Sequence, residues 1–212
     1  MYTLYYWPGY CSLAAHIVLN WAQAKYTLFK ADETYRKSAD FLALNPSGTV
    51  PVLNISTKNQ RAHLSQNVAI LHFIAQEFPE THLLGDGSIL AQAEILRWAS
   101  YINSDVHKCF TPLLHPERVS GGKSAQILAE TSALAMLAKH FTILNNQMKE
   151  QNWLVNNQRS IADPYLFVIL RWAKMLAVSL DSYPALANFY RSFILDKAVL
   201  SALEQEGVSA FE

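Results

Sequence analysis

The sequence has little charge, little glycine and almost no cysteine. Of 212 residues 16% are charged, and 17 basic and 17 acidic side chains cancel to a formal net charge of zero. Such a chain has no global field to hold nucleic acid or an anionic membrane. Two cysteines, Cys11 and Cys109, are too few for a disulfide framework, and the CxxC, HxxxH and HExxH spacings of metal sites are absent. The uninterrupted apolar runs, such as 133–138 and 165–170, are far shorter than the ~20 residues that cross a bilayer. No basic stretch opens the chain: the first lysine is Lys25, and Pro8-Gly9 breaks the early apolar run. These absences predict a soluble, cytoplasmic protein with free thiols and no metal.

What is present is apolar: 51% of residues are hydrophobic, enough to bury a core and too many for a disordered chain. The length suits two small domains. The first part alternates in type. Tyr2-Thr3-Leu4-Tyr5-Tyr6 is an aromatic strand, and 12–24 carries apolar residues at helical spacing. A strand at 26–31, a helix at 38–44 and strands at 50–55 and 61–63 follow, the last two joined by a turn at Asn59-Gln60. A helix at 66–76 closes this layer. After the glycine- and proline-bearing stretch around Pro79, Gly85 and Gly87 the strand pattern disappears. Long helices are predicted at 89–114, 123–151, 160–176, 183–193 and 197–205. Ser160-Ile161-Ala162-Asp163 has the form of a capping box, and Pro164 suits a first helical turn. The expected fold is α/β plus all-α: an N-terminal layer over 1–79, a linker over 80–88 and an all-helical part over 89–212.

Several residues are candidates for chemistry, each with a plainer alternative. Cys11 follows a strand and a Pro-Gly turn at a helix start, where unpaired N–H groups and the helix dipole favour a thiolate. Alternatively it is a small buried apolar residue. Pro51 opens a strand. A cis Val50-Pro51 bond would turn the Val50 backbone toward an extended ligand, whereas an edge-strand proline would carry no role. Gln66 and Asn67 begin a helix whose N–H groups and amides can hold a carboxylate, or they simply cap it. Ser100, Asn103, Ser104, His107 and Thr111 form a polar stripe on the first long helix. There His107 can donate to a sulfur or carboxylate, or move a proton, if the stripe faces a cleft rather than solvent. Tyr6 ends the first strand and places its hydroxyl near the same turn, or else belongs to the core. His16, His63, His72 and His140 have no neighbours in sequence that suggest a site.

The ordered set of Pro8-Gly9-Tyr10-Cys11-Ser12, Asn45-Pro46-x-Gly48-x-Val50-Pro51, Gln66-Asn67 and Ser160-Ile161-Ala162-Asp163 resembles the cytosolic glutathione S-transferases. The run through Leu13-Ala14, with Val106-His107-Lys108, resembles the bacterial beta class. The resemblance spans nearly the whole chain. It implies a thioredoxin-like N-terminal domain, an all-helical C-terminal domain and a homodimer. It further implies that glutathione is the co-substrate, conjugated as its thiolate to a small hydrophobic electrophile, with mixed-disulfide redox handling alongside. In this frame Cys11 sits at the glutathione sulfur and His107 supports it. Val50, before Pro51, pairs with the cysteinyl backbone, Gln66 and Asn67 hold the γ-glutamyl end, and Arg36 stands near the glycine carboxylate. Ser160 and Asp163 match a structural capping motif. Asn67 stands where many members carry serine, and Trp7 and Tyr10 are expected to narrow the mouth of the cleft. Phe110, Leu113, Leu114, Tyr165 and Trp172 are candidates for the electrophile pocket or for core. Two other outcomes remain open at this point: a monothiol disulfide oxidoreductase, in which glutathione resolves the intermediate, and a non-catalytic binding protein of the same fold.

Overall fold

The structure, a computed structural model, describes residues 1–56 and 61–209. The expected Asn59-Gln60 turn lies outside the described residues. Four strands form one mixed sheet in the order β2-β1-β3-β4. They are β1 Tyr2–Tyr6, β2 Tyr26–Lys30, β3 Val52–Ser56 and β4 Arg61–Ser65. β1 pairs in parallel with β2 and antiparallel with β3, and β3 pairs antiparallel with β4. The β1–β2 pair is parallel because the helix α1 (Ser12–Trp21) crosses over between them.

Strand alternation explains one departure from expectation. In β1 the side chains of Tyr2, Leu4 and Tyr6 point to the buried face. Tyr6 is therefore 7% exposed within the main apolar core, its ring 6.5 Å from that of His16, and it does not line the cleft described below.

The other helices of the first half are α2 (Glu33–Arg36), α3 (Ala39–Leu44) and α4 (Asn67–Glu77). The short α2 was not predicted; Asp32 caps it by accepting from the Tyr35 N–H. A left-handed bend at His82 leads into α5 (Ile89–Tyr101), which Ser88 caps. The continuous helix expected to 114 is broken. Ile102–Val106 is a π-helical turn, followed by α6 (His107–Cys109) and α7 (Thr111–Leu114). The remaining helices are α8 (Gly122–Gln147), α9 (Ala162–Met175), α10 (Pro184–Phe193) and α11 (Lys197–Glu206).

One apolar core runs through both halves. Leu13, Ile17 and Leu19 of α1 join Phe167 and Ile169 of α9 and Val199 and Leu203 of α11. Each such side chain contributes roughly 1.5–3 kcal/mol when fully buried. From Ala162 to Ala173 every residue of α9 is buried, which makes it the central helix.

α8 departs from the expectation that no segment is long and apolar enough to cross a bilayer. By length and composition alone it could cross a membrane, because Ala, Leu and Ile recur along it between isolated polar residues. It packs against α7 and α10 and leaves Ile127, Leu128, Leu134 and Met136 exposed.

Candidate functional site

The loop between β1 and α1 is held by the second half of the chain. Gly9 has φ +70°, a conformation that glycine adopts without penalty. A Cβ there would lie 2.8 Å from Arg171 Nη1, so the guanidinium would have to shift as well. The Gly9 N–H donates to Glu206 Oε2 at 2.8 Å, and the Gly9 carbonyl accepts from Trp172 Nε1 at 2.8 Å. Glu206 Oε1 in turn meets His16 Nδ1 at 3.0 Å, and His16 Nε2 meets the Tyr26 hydroxyl at 2.9 Å. His16, which had no suggestive neighbour in sequence, is thus part of the scaffold beneath the loop.

This loop sets Cys11 at the N-cap of α1, partly buried on one wall of a cleft of about 250 Å³. Its thiol donates to the Val50 carbonyl at 3.7 Å. The expectation of a thiolate at this helix start is corrected. Burial pushes the thiol up to about 12, outweighing the N–H groups of Cys11 and Ser12 that lower it, and the Glu206 carboxylate raises it further. The residue retains some exposure through the cleft, but the sulfur itself is desolvated enough to keep its proton.

The same wall carries Val50, Pro51, Gln66 and Asn67. The Val50–Pro51 peptide is cis. Gln66, the N-cap of α4, has φ +71° and makes no capping hydrogen bond. A non-glycine residue held in that region marks a functional constraint worth testing. Asn67 is 3% exposed; its Nδ2 donates to the Cys11 carbonyl at 3.0 Å, while its Oδ1 is buried without a hydrogen-bond partner. An orphaned buried acceptor costs about 1–3 kcal/mol and is best explained by a donor that arrives with a ligand. Arg36, at the end of α2, also lines the cleft, its guanidinium 6.0 Å from the Tyr10 ring centre and 5.8 Å from that of Trp7. Tyr10 lines the cleft as expected; Trp7 does not, and packs in a second small core with Tyr5 and Tyr35.

The opposite wall comes from the helical half. Asn103, His107 and Thr111 line the cleft, but Ser100 and Ser104 of the predicted stripe stay exposed, with Ser104 Oγ donating to the Ser100 carbonyl. A π-helical turn lies within this stretch. It inserts extra backbone between Tyr101 and His107 and so shifts which residues share a face. His107 Nδ1 lies 2.8 Å from the Tyr165 hydroxyl, and burial lowers its pKa from 6.5 to about 4. The imidazole is therefore neutral near pH 7, which corrects any purely electrostatic support of a thiolate by an imidazolium. Phe110, Leu114, Tyr165 and Trp172 complete the wall, whereas Leu113 packs against the core. Tyr165 is the polar group that sequence reasoning undervalued: it stands in the run Tyr165-Leu166-Phe167-Val168, where an aromatic reads as core.

The capping motif is structural. Asp163 Oδ2 accepts from the Ser160 N–H at 2.7 Å and from its hydroxyl at 3.0 Å, and Asp163 Oδ1 accepts from the Leu154 N–H at 2.8 Å. Among the described residues no group of three or more His, Cys, Asp or Glu side chains is placed to hold a metal ion.

Comparison with known proteins covers both halves. Residues 10–77 match the model of the glutathione S-transferase N-terminal domain and 106–195 that of the C-terminal domain. The chain is 39% identical over 206 residues to glutathione S-transferase GST-4.5 of Xanthomonas campestris pv. campestris, covering 97% of this chain and 99% of that one. Among solved structures it is similar to the Xylella fastidiosa glutathione S-transferase, with TM-score 0.92 and 39% identity over 99% and 100% of the two chains. It is also similar to the bacterial beta class glutathione S-transferase of Sphingomonas chungbukensis (TM-score 0.84, 31% identity, 98% and 100% covered). A sphingomonad glutathione S-transferase complexed with glutathione matches at TM-score 0.84 and 32% identity, again over 98% and 100%.

Proposed function

This chain belongs to the glutathione S-transferase family, and from that premise we propose that it conjugates the thiolate of glutathione to small hydrophobic electrophiles. The observation that carries the reading is the buried, unpartnered Asn67 Oδ1 in a cleft it shares with the Cys11 thiol. Asn67 Oδ1 accepts from the γ-glutamyl ammonium, and Gln66 with the start of α4 receives the γ-glutamyl carboxylate. Val50 pairs its backbone with the cysteinyl unit, beside Pro51, and Arg36 takes the glycine carboxylate. The acceptor lies against Phe110, Leu114 and Trp172.

Cys11 keeps its proton and acts as an S–H donor toward the glutathione sulfur rather than as the nucleophile. Glutathione supplies the attacking sulfur; the carbon–sulfur bond forms as the leaving group departs with its electron pair. Hydrogen bonds that favour the thiolate lower its pKa, each unit corresponding to about 1.4 kcal/mol. Mixed-disulfide exchange at Cys11 is a minor accompaniment, and the relatives above do not favour a mainly redox or a non-catalytic reading. The chain works in the cytoplasm as a homodimer, with the exposed Ile89 and Leu90 of α5 and Leu128 of α8 as the apolar surface that a second copy covers; sedimentation equilibrium at micromolar concentration would give twice the 23.9 kDa chain mass.

Two measurements test the main reading. Isothermal titration with glutathione should give saturable binding that Asn67→Leu weakens about tenfold, in keeping with a lost hydrogen bond. Conjugation of an aryl halide should survive Cys11→Ala with a reduced rate. No glutathione binding by a folded wild-type protein, or disulfide reduction without conjugation, would refute it.

A further inference from the structure

The Tyr165 hydroxyl has no part in the proposed glutathione contacts, although Tyr165 lines the cleft. Its oxygen lies 2.8 Å from His107 Nδ1 and 2.9 Å from Asn103 Oδ1. A carbonyl oxygen only accepts, and a phenol has one proton. The Tyr165 O–H must therefore point to Asn103. The phenol oxygen is then an acceptor toward its other neighbour, and His107 must meet it with Nδ1–H. A neutral imidazole holds one proton, so Nε2 carries a lone pair. The opposite tautomer would leave the Tyr165 oxygen without a proton between it and the Asn103 oxygen, a repulsive contact. Among the described residues nothing is hydrogen-bonded to Nε2, and the ring packs edge-on to Trp172 at 4.8 Å on the cleft wall.

We propose that Asn103 and Tyr165 are positioning residues that hold His107 in its Nδ1–H form, so that Nε2 serves as the proton acceptor for the glutathione thiol. The inference rests on the glutathione reading. The thiol S–H bond breaks, its proton passes to Nε2 and the electron pair stays on sulfur. That sulfur then attacks the aryl halide, halide leaves with its electron pair, and the imidazolium returns the proton to water. Burial supports the short life of the imidazolium, since it disfavours the charged ring. Cys11, by contrast, donates its own proton and cannot accept one.

The test is nitrogen-15 NMR of the His107 ring near pH 7, first without glutathione. Wild type and Asn103→Asp, which keeps an acceptor oxygen, should show a protonated Nδ1 and a bare Nε2. Tyr165→Phe and Asn103→Leu should show a mixed or reversed tautomer. Their kcat for aryl halide conjugation should fall about tenfold with KM for glutathione changed less than threefold. A wild-type ring protonated at Nε2, or a tautomer untouched in both Tyr165→Phe and Asn103→Leu, overturns the proposal. His107 resonances that ignore glutathione while calorimetry shows it bound also overturn the proposal and leave the glutathione reading standing; no binding in calorimetry overturns that reading instead.

Discussion

Two helix starts in this molecule are built from similar amide and carboxyl chemistry and end up opposite in character. At the start of α9 every donor near Asp163 is matched: three hydrogen bonds converge on one buried carboxylate from Ser160 and Leu154. At the start of α4 the N-cap residue makes no capping bond, its φ is positive, and Asn67 keeps one buried oxygen unmatched. Read in sequence, both look like caps. In space, one is closed and anchors the core, while the other is open and faces a cleft. An incomplete cap is where a fold leaves room for a ligand to complete it.

The closed start carries the largest expected effect. Asp163→Ala strands two N–H groups and a hydroxyl inside the core, and should cost about 3–5 kcal/mol in urea unfolding. A loss below about 1 kcal/mol would mean that α9 does not depend on this closure.

The pH dependence of the two buried groups gives the next effect. Burial raises Asp163 from 3.8 to about 6, so the native protein holds that proton longer than the unfolded chain. Its stabilising contribution is complete below about 4 and is lost as pH rises through 6. His107 runs the other way: lowered from 6.5 to about 4, it contributes fully above 6.5, and that contribution is lost as pH falls through 4. The stability advantage of wild type over His107→Gln should therefore grow by up to about 3 kcal/mol between pH 4 and 6.5. Its advantage over Asp163→Asn should shrink over nearly the same interval. Chemical unfolding at four pH values checks both slopes.

The smallest effect belongs to the open start. Gln66→Gly relieves a positive φ and should raise stability by about 1 kcal/mol while weakening glutathione binding. Thermal melts with and without glutathione separate the two consequences. Equal or lower stability without the ligand would show that Gln66 is not held against its preference.

Much of this was legible beforehand, for local reasons. Pro8-Gly9 before an apolar helical repeat placed Cys11 on a turn, and strand alternation with turn residues gave the β1, β3 and α4 segments. What escaped depends on distance or on backbone irregularity. The His16–Glu206 contact joins residues 190 positions apart, so no window could connect them. The π-helical turn leaves no periodic signature, and nothing in the stripe's spacing tells that Asn103 and His107 line the cleft while Ser100 and Ser104 stay exposed. The protonation of Cys11 and His107 also escaped, because a helix start or a polar stripe says nothing about desolvation. Tyr6 ends β1 beside the turn, yet the strand alternation puts its side chain on the buried face.

The pinning of Gly9 has a consequence for modularity. The turn that carries Cys11 is fastened by α9 and α11, in the second half of the chain. The first 80 residues look like a transplantable unit, yet grafting them onto another partner would carry Cys11 without Trp172 and Glu206. Exchange of whole chains preserves this fastening; exchange of halves must bring both fasteners along, and any extension fused just beyond α11 is placed to act on the Cys11 turn encoded in the first half.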